Sequence, residues 1–215
     1  MSTLGKSIGI LVSLLLLFLL QPLLADGSVA EIVLDLLMFT PLVFATIKLS
    51  HKKLLWPLVL LIAGAVGTGI AAQVFESRVL FTIQFSILTI AFWLAVVELF
   101  SYLRRASVIT AEHLFAAASI YLLLAIAFFS LYMAITGIEP NAFQSAAGPT
   151  HQSADLLYFS LATLTTLGYG DIVPVGREAR ILAGLEAATG VLYVAITVAL
   201  LVSAYTVRPG NGARP

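Results

Sequence analysis

The stretch Asp155-Leu-Leu-Tyr-Phe-Ser-Leu-Ala-Thr-Leu-Thr-Thr-Leu-Gly-Tyr-Gly-Asp171 decides how this chain is read. The segment from about Ser153 to Thr165 is apolar but too short to cross a bilayer, which takes about 20 helical residues. It predicts a re-entrant helix with Ser153 as its N-cap. Glycines then stand at alternate positions, Gly168 and Gly170. A regular strand points successive carbonyls to opposite sides. Left-handed backbone angles at alternate residues, which glycine adopts freely, turn consecutive carbonyls the same way. A row of such oxygens replaces the water around a bare cation, and the Thr166 hydroxyl adds an oxygen at the inner end. The short helix would aim its carboxyl end, the negative end of its dipole, at the bilayer centre.

Composition supplies the setting. Of 215 residues, 60% are hydrophobic and only 10% charged, and the mean hydropathy is +1.06. Soluble domains carry about 25% charged residues, so this composition describes an integral membrane protein. Long unbroken apolar runs make it helical, and the alternating strands of a barrel are absent. There is no cysteine, which excludes disulfides and thiolate chemistry; the formal net charge is zero, and no basic or acidic tail suggests nucleic acid or an extensive soluble partner surface.

Six apolar segments reach spanning length: Ser7–Leu24, Val29–Leu49, Leu54–Val74, Val79–Leu103, Leu114–Thr136 and Ala179–Val207. With a cytoplasmic amino terminus, Lys6, Lys48, Lys52, Lys53, Arg104, Arg105, Arg208 and Arg214 fall inside, and Arg78, Arg177 and Arg180 outside. That asymmetry favours this orientation, with both termini cytoplasmic. The first segment also has the outline of a secretory signal peptide, but Leu23 is a poor small residue for its cleavage site, so it is read as a retained helix.

The segment Thr166-Leu-Gly-Tyr-Gly-Asp171 resembles the selectivity filter of tetrameric potassium channels. Six spans with this loop between the fifth and sixth resemble the bacterial-type, voltage-gated-like architecture of that family. The resemblance implies an all-α integral membrane protein, with six transmembrane helices plus a re-entrant pore helix and selectivity-filter loop, assembling as a homotetramer. Residues 1–105 would be a four-helix sensor-like domain. Residues 106–207 would be the pore domain, and 208–215 a short cytoplasmic tail with no soluble ligand domain. The expected location is a prokaryotic inner membrane, with membrane lipids as the other partners. No cofactor is implied beyond K+ as the permeant ligand.

Matched position by position, K+ would be held by the carbonyls of Thr166, Leu167, Gly168 and Tyr169 and by the Thr166 hydroxyl, with Gly170 completing the filter. Leu167 stands where Val or Ile is more usual; only its carbonyl is asked to coordinate. Tyr158 and Phe159 occupy the places of an aromatic pair that braces the filter in related channels. With Thr165 and Asp171 they are its expected supports. Ala162 replaces a buried acid found behind the filter in some bacterial relatives, so the Tyr158 hydroxyl is expected to bond Asp171 instead.

The last span carries the candidate gating and cavity residues. Gly190 has two readings: the gating hinge of related channels, or a close-packing glycine. Val191, Val194, Val198 and Val202 share a helical face that would form an apolar constriction. Glu186 is an ionisable residue at membrane depth, which marks a functional candidate. It is read either as a pH-sensitive or cavity group, or as a buried carboxyl, protonated or bonded to a hydroxyl behind the filter. The fourth span has no basic residue between Arg78 and Arg104. A voltage sensor works by moving charge, at about 2.3 kcal/mol per charge per 100 mV, so steep voltage gating is not expected. Asp35 with Gln84, and Glu98 with Lys48, are expected structural pairs.

The function expected is passive, potassium-selective conduction. The alternatives are a weakly selective cation channel and, from another class, a secondary transporter, for which repeated interrupted helices are missing. An intramembrane hydrolase needs a Ser–His or metal constellation at depth. His51, His113 and His151 all fall in or near loops, so no enzyme is expected.

Overall fold

The computed structural model describes residues 3–20, 37–44, 52–106, 109–150 and 152–206. The helices are α1 (Thr3–Leu20), α2 (37–44), α3 (Lys52–Phe75), α4 (Arg78–Arg104), α5 (Ala111–Ile138), α6 (Ser153–Leu164) and α7 (Arg177–Thr206). Among the described residues four helices are long and apolar enough to cross a membrane: Trp56–Phe75, Arg78–Arg104, Ala111–Ile138 and Arg177–Ser203. The chain is an integral membrane protein, mostly helical. The expected first span is the apolar helix α1, whose stretch Ser7–Leu20 is shorter than a full crossing. The expected second span is described only over 37–44. Asp35, Lys48, His51, His151 and the tail 208–215 lie outside the described residues.

Local chemistry sets the helix ends. The Ser77 hydroxyl caps α4 by accepting from the Leu80 N–H, and Arg104 closes its last turn, opposite the dipole's negative end. At α5 the capping box uses histidine: the Thr110 N–H donates to His113 Nδ1 at 3.2 Å. Tyr102 of α4 stacks on that imidazole with centroids 5.1 Å apart, fastening the α4–α5 corner. Glutamine or glutamate usually fills this reciprocal role.

Helix α5 is the hub. It packs against α1, α4, α6 and α7. Phe85 meets Phe129 edge-on, Trp93 meets Phe128, and both pairs join α4 to α5. Glycine allows two closer approaches. A β-carbon on residue 137 of α5 would strike the Thr82 hydroxyl of α4, and one on residue 69 of α3 would lie 2.7 Å from the buried amide of Gln84. Gln84, expected to meet Asp35, thus has its space made by α3.

The expectation of an all-α chain needs one correction. Strands β1 (Phe143–Ser145), β2 (Gly148–Pro149) and β3 (Ile172–Pro174) form a small antiparallel sheet in the order β2-β1-β3. Phe143 pairs with Pro174 and Ser145 with Ile172, so the chain before α6 is zipped to the chain after the glycine-rich loop. The Ala142 carbonyl accepts from the N–H groups of Val175 (2.9 Å) and Gly176 (3.1 Å), extending that closure toward α7. These strands are two or three residues long, below the length at which alternation shows in a sequence.

Candidate functional site

The loop grows directly out of the end of α6. The N-cap of α6 is Gln152, with Ser153 as the first helical residue, and Thr150 bonds Asp155 in the first turn at 2.5 Å. At the other end the Thr166 N–H bonds the Thr163 carbonyl at 2.9 Å, and the Leu167 N–H bonds the Ala162 carbonyl at 2.8 Å. Those two bonds, around a left-handed residue, make a Schellman closure. The left-handed residue is Thr166, at φ +57°. Glycine normally fills that place, and a β-branched side chain there is strained by roughly 1–2 kcal/mol.

The left-handed angles then continue at alternate residues, with Gly168 at φ +55° and Gly170 at φ +78°. Positions 166, 168 and 170 therefore share the left-handed φ that allows successive carbonyls to turn to one side. Sequence reading assigned this to the two glycines and missed Thr166. The side chains of Leu167 and Tyr169 are 52% and 70% exposed on the single chain.

The support residues are placed as follows. Phe159 is buried in an aromatic cluster, 5.4 Å from the Tyr132 ring and 5.3 Å from Phe143. Tyr158 is half-buried, and its hydroxyl donates to the Asp171 carboxylate beyond the loop. That hydrogen bond, helped by desolvation, holds the phenol above its ordinary pKa. The Thr165 hydroxyl bonds back to the Leu161 carbonyl at 2.8 Å, stapling the last turn of α6 to itself.

Helix α7 presents two faces. Val191, Val194, Val198 and Val202 are all exposed on the single chain. Glu186, Gly190 and Tyr193 face inward, against α5 and α6. The Glu186 carboxyl is fully buried: the Tyr132 hydroxyl of α5 donates to its Oε2 at 2.5 Å, and Ser160 Oγ of α6 lies 2.5 Å from its Oε1. It sits between helices, not among the exposed valines. One turn on, Gly190 lies against the last turn of α6, where a β-carbon would come 1.9 Å from the Leu164 carbonyl oxygen. The same carbonyl accepts from the Tyr121 hydroxyl at 3.2 Å, and Tyr193 donates to the Ala117 carbonyl at 2.7 Å. Tyr121, Tyr132 and Ser160 were not singled out from sequence. The available signal was weak: Ser160 is a polar residue in an apolar run, and tyrosines at depth need partners.

No cluster of three or more His, Cys, Asp or Glu able to hold a metal occurs among the described residues.

Comparison with known proteins agrees with this geometry. Residues 117–207 match the family model described as an ion channel. The chain is 55% identical over 42 residues to two pore potassium channel c of Oryza sativa subsp. japonica, covering 20% of this chain and 9% of that protein. It is 40% identical over 58 residues to the inward rectifier potassium channel Kirbac3.1 of Paramagnetospirillum magnetotacticum, covering 27% of this chain and 19% of the relative. The chain thus spans less than a fifth of the length of these relatives. No solved structure matches. Residues 117–207 are accordingly similar to an ion channel domain, and the likeness is to channels, not to an enzyme.

Proposed function

We propose that this protein is a potassium-selective channel subunit that conducts K+ passively through a pore shared by four copies. The observation that carries the reading is the run of left-handed angles at Thr166, Gly168 and Gly170, set between the end of a short helix and a spanning helix. One chain supplies one column of oxygens. A dehydrated ion needs oxygens all round, and a fourfold arrangement provides them. The exposed Leu167, Tyr169 and valine face of α7 are the surfaces such an assembly would cover or turn to a water-filled path. In this reading the K+ ligands are the carbonyls of Thr166, Leu167, Gly168 and Tyr169 with the Thr166 hydroxyl, and Gly170 and Asp171 form the outer exit.

The finer architecture belongs to the same proposal. Six spans, a four-helix bundle at 1–105 with no charges to sense voltage, a pore domain at 106–207 and cytoplasmic termini follow from the apolar segments and the basic residues around them. The membrane is read as a prokaryotic inner membrane on resemblance alone.

The test is recording from purified protein in bilayers under opposed sodium and potassium gradients. A reversal potential close to that of potassium is expected. A value midway between the two ions would make this a weakly selective cation channel, and absence of any conductance would remove the channel reading.

A further inference from the structure

The buried group around Glu186 has more oxygens in contact than its hydroxyls have protons to share. Tyr132 O–H donates to Glu186 Oε2 at 2.5 Å. Ser160 Oγ lies 2.5 Å from Glu186 Oε1 and 2.6 Å from the Ala125 carbonyl oxygen. A serine hydroxyl has one proton to give, and a backbone carbonyl only accepts. If Glu186 were a carboxylate, Ser160 could satisfy one of its two neighbours. The other would be held at hydrogen-bond distance with no hydrogen between, in a fully buried place.

One more proton completes the chain. With a hydrogen on Oε1, Tyr132 donates to Oε2, Oε1–H donates to Ser160, and Ser160 donates to Ala125. Every donor then has one acceptor, and no charge is buried. The partners of both carboxyl oxygens are hydroxyls, not cations, so no salt bridge compensates an ionised form. The three elements joined are α5, which supplies Tyr132 and Ala125, α6, which supplies Ser160, and α7, which supplies Glu186.

We propose that Glu186 is a positioning residue: held as a neutral acid, it ties the short helix α6 to both spanning helices that flank it and fixes the depth and roll of the loop that follows. Ser160 lies six residues before Thr166 on the helix whose end forms the Schellman closure. Rotation of α6 would carry the whole column of carbonyls with it. The positioning role rests on the channel reading; the proton on Glu186 does not.

The test compares full-length wild type, E186Q, E186A and Y132F in potassium-containing vesicles, by infrared difference spectroscopy and by potassium and sodium flux. Glutamine reproduces the neutral acid, its amide N–H toward Ser160 and its carbonyl toward Tyr132. Wild type should show a protonated-carboxyl carbonyl band that E186Q lacks. Y132F keeps its ring and loses one donor to Oε2, so that band should move to higher frequency. E186Q should keep the potassium-to-sodium flux ratio within about twofold, whereas E186A should lower it by about tenfold, since a buried partner left unsatisfied costs about that much. A missing band in wild type, no shift in Y132F, or E186Q as damaged as E186A would overturn the proposal. If E186A does not fold, the band, the shift and E186Q still decide. If wild-type vesicles pass no potassium, the channel reading fails, while the spectra still decide the proton.

Discussion

A β-carbon on residue 190 would lie 1.9 Å from the Leu164 carbonyl oxygen, so Gly190 is where α7 and α6 meet backbone to backbone. Leu164 is in the last helical turn before Thr166, and its carbonyl also carries the Tyr121 hydrogen bond. Backbone cannot swing aside as a side chain can. G190A should therefore cost about 3 kcal/mol, the upper range for overpacking. G184A on the same helix, with open space around it, should be neutral or stabilise by up to about 1 kcal/mol. Thermal melts of the purified variants check this. A G190A melt equal to wild type with altered open probability would make residue 190 a hinge instead of a packing contact.

Thr166 pays conformational energy at a place where glycine is at home. T166G should relieve left-handed strain of about 1–2 kcal/mol, less about 0.5–1 kcal/mol of glycine's own entropy, and melt slightly higher. On the proposed channel reading it also removes a hydroxyl from the inner end of the column, so potassium flux should fall. Stability and flux moving in opposite directions is the signature to look for in the same preparation. If both fall together, the strain at Thr166 is not a trade against function.

Tyr158 and Asp171 should act as a unit. Y158F and D171N should each speed the decay of potassium current under sustained conduction, and the double variant should be no worse than the more damaged single one. Additive effects would show that the hydrogen bond between them carries no coupling. Because the hydrogen bond to Asp171 raises the phenol's pKa, loss of the bond on alkaline titration should come at a higher pH than ionisation of a free tyrosine.

Voltage should matter little. Helix α4 runs from Arg78 to Arg104 with no basic residue between, so no row of charges crosses the field. Open probability in bilayer recordings should change by less than about tenfold over 100 mV, since even one full elementary charge is worth about 2.3 kcal/mol over that interval. Steep dependence abolished by changes within α4 would contradict this.

How much of this was legible in the sequence follows from the physics of each part. Spans announce themselves through uninterrupted apolar length: the segment read as Val79–Leu103 is α4 at Arg78–Arg104, and Leu114–Thr136 is α5 at Ala111–Ile138. The left-handed angles at Gly168 and Gly170 were legible, because glycine adopts them freely. The left-handed Thr166 was not, because threonine gives no sign of adopting a glycine conformation. The group at Glu186 was half legible. A buried acid in a membrane helix demands a partner, but Ser160 and Tyr132 lie 26 and 54 residues away and no local period links them. The small sheet was invisible because its strands are two or three residues long, too short for alternation to show.

That sheet also separates closure from seating. The polypeptide passes Ala142 a few residues beyond the end of α5 and returns to that residue's carbonyl at Val175 and Gly176. The segment between, which includes the strands and α6, has its mouth closed within one chain. Its ends are held together by its own backbone, while its seat depends on α5 and α7 through Tyr121, Glu186 and Gly190. Lengthening at the Ala146-Ala147 hairpin tip changes the rim without disturbing the seam.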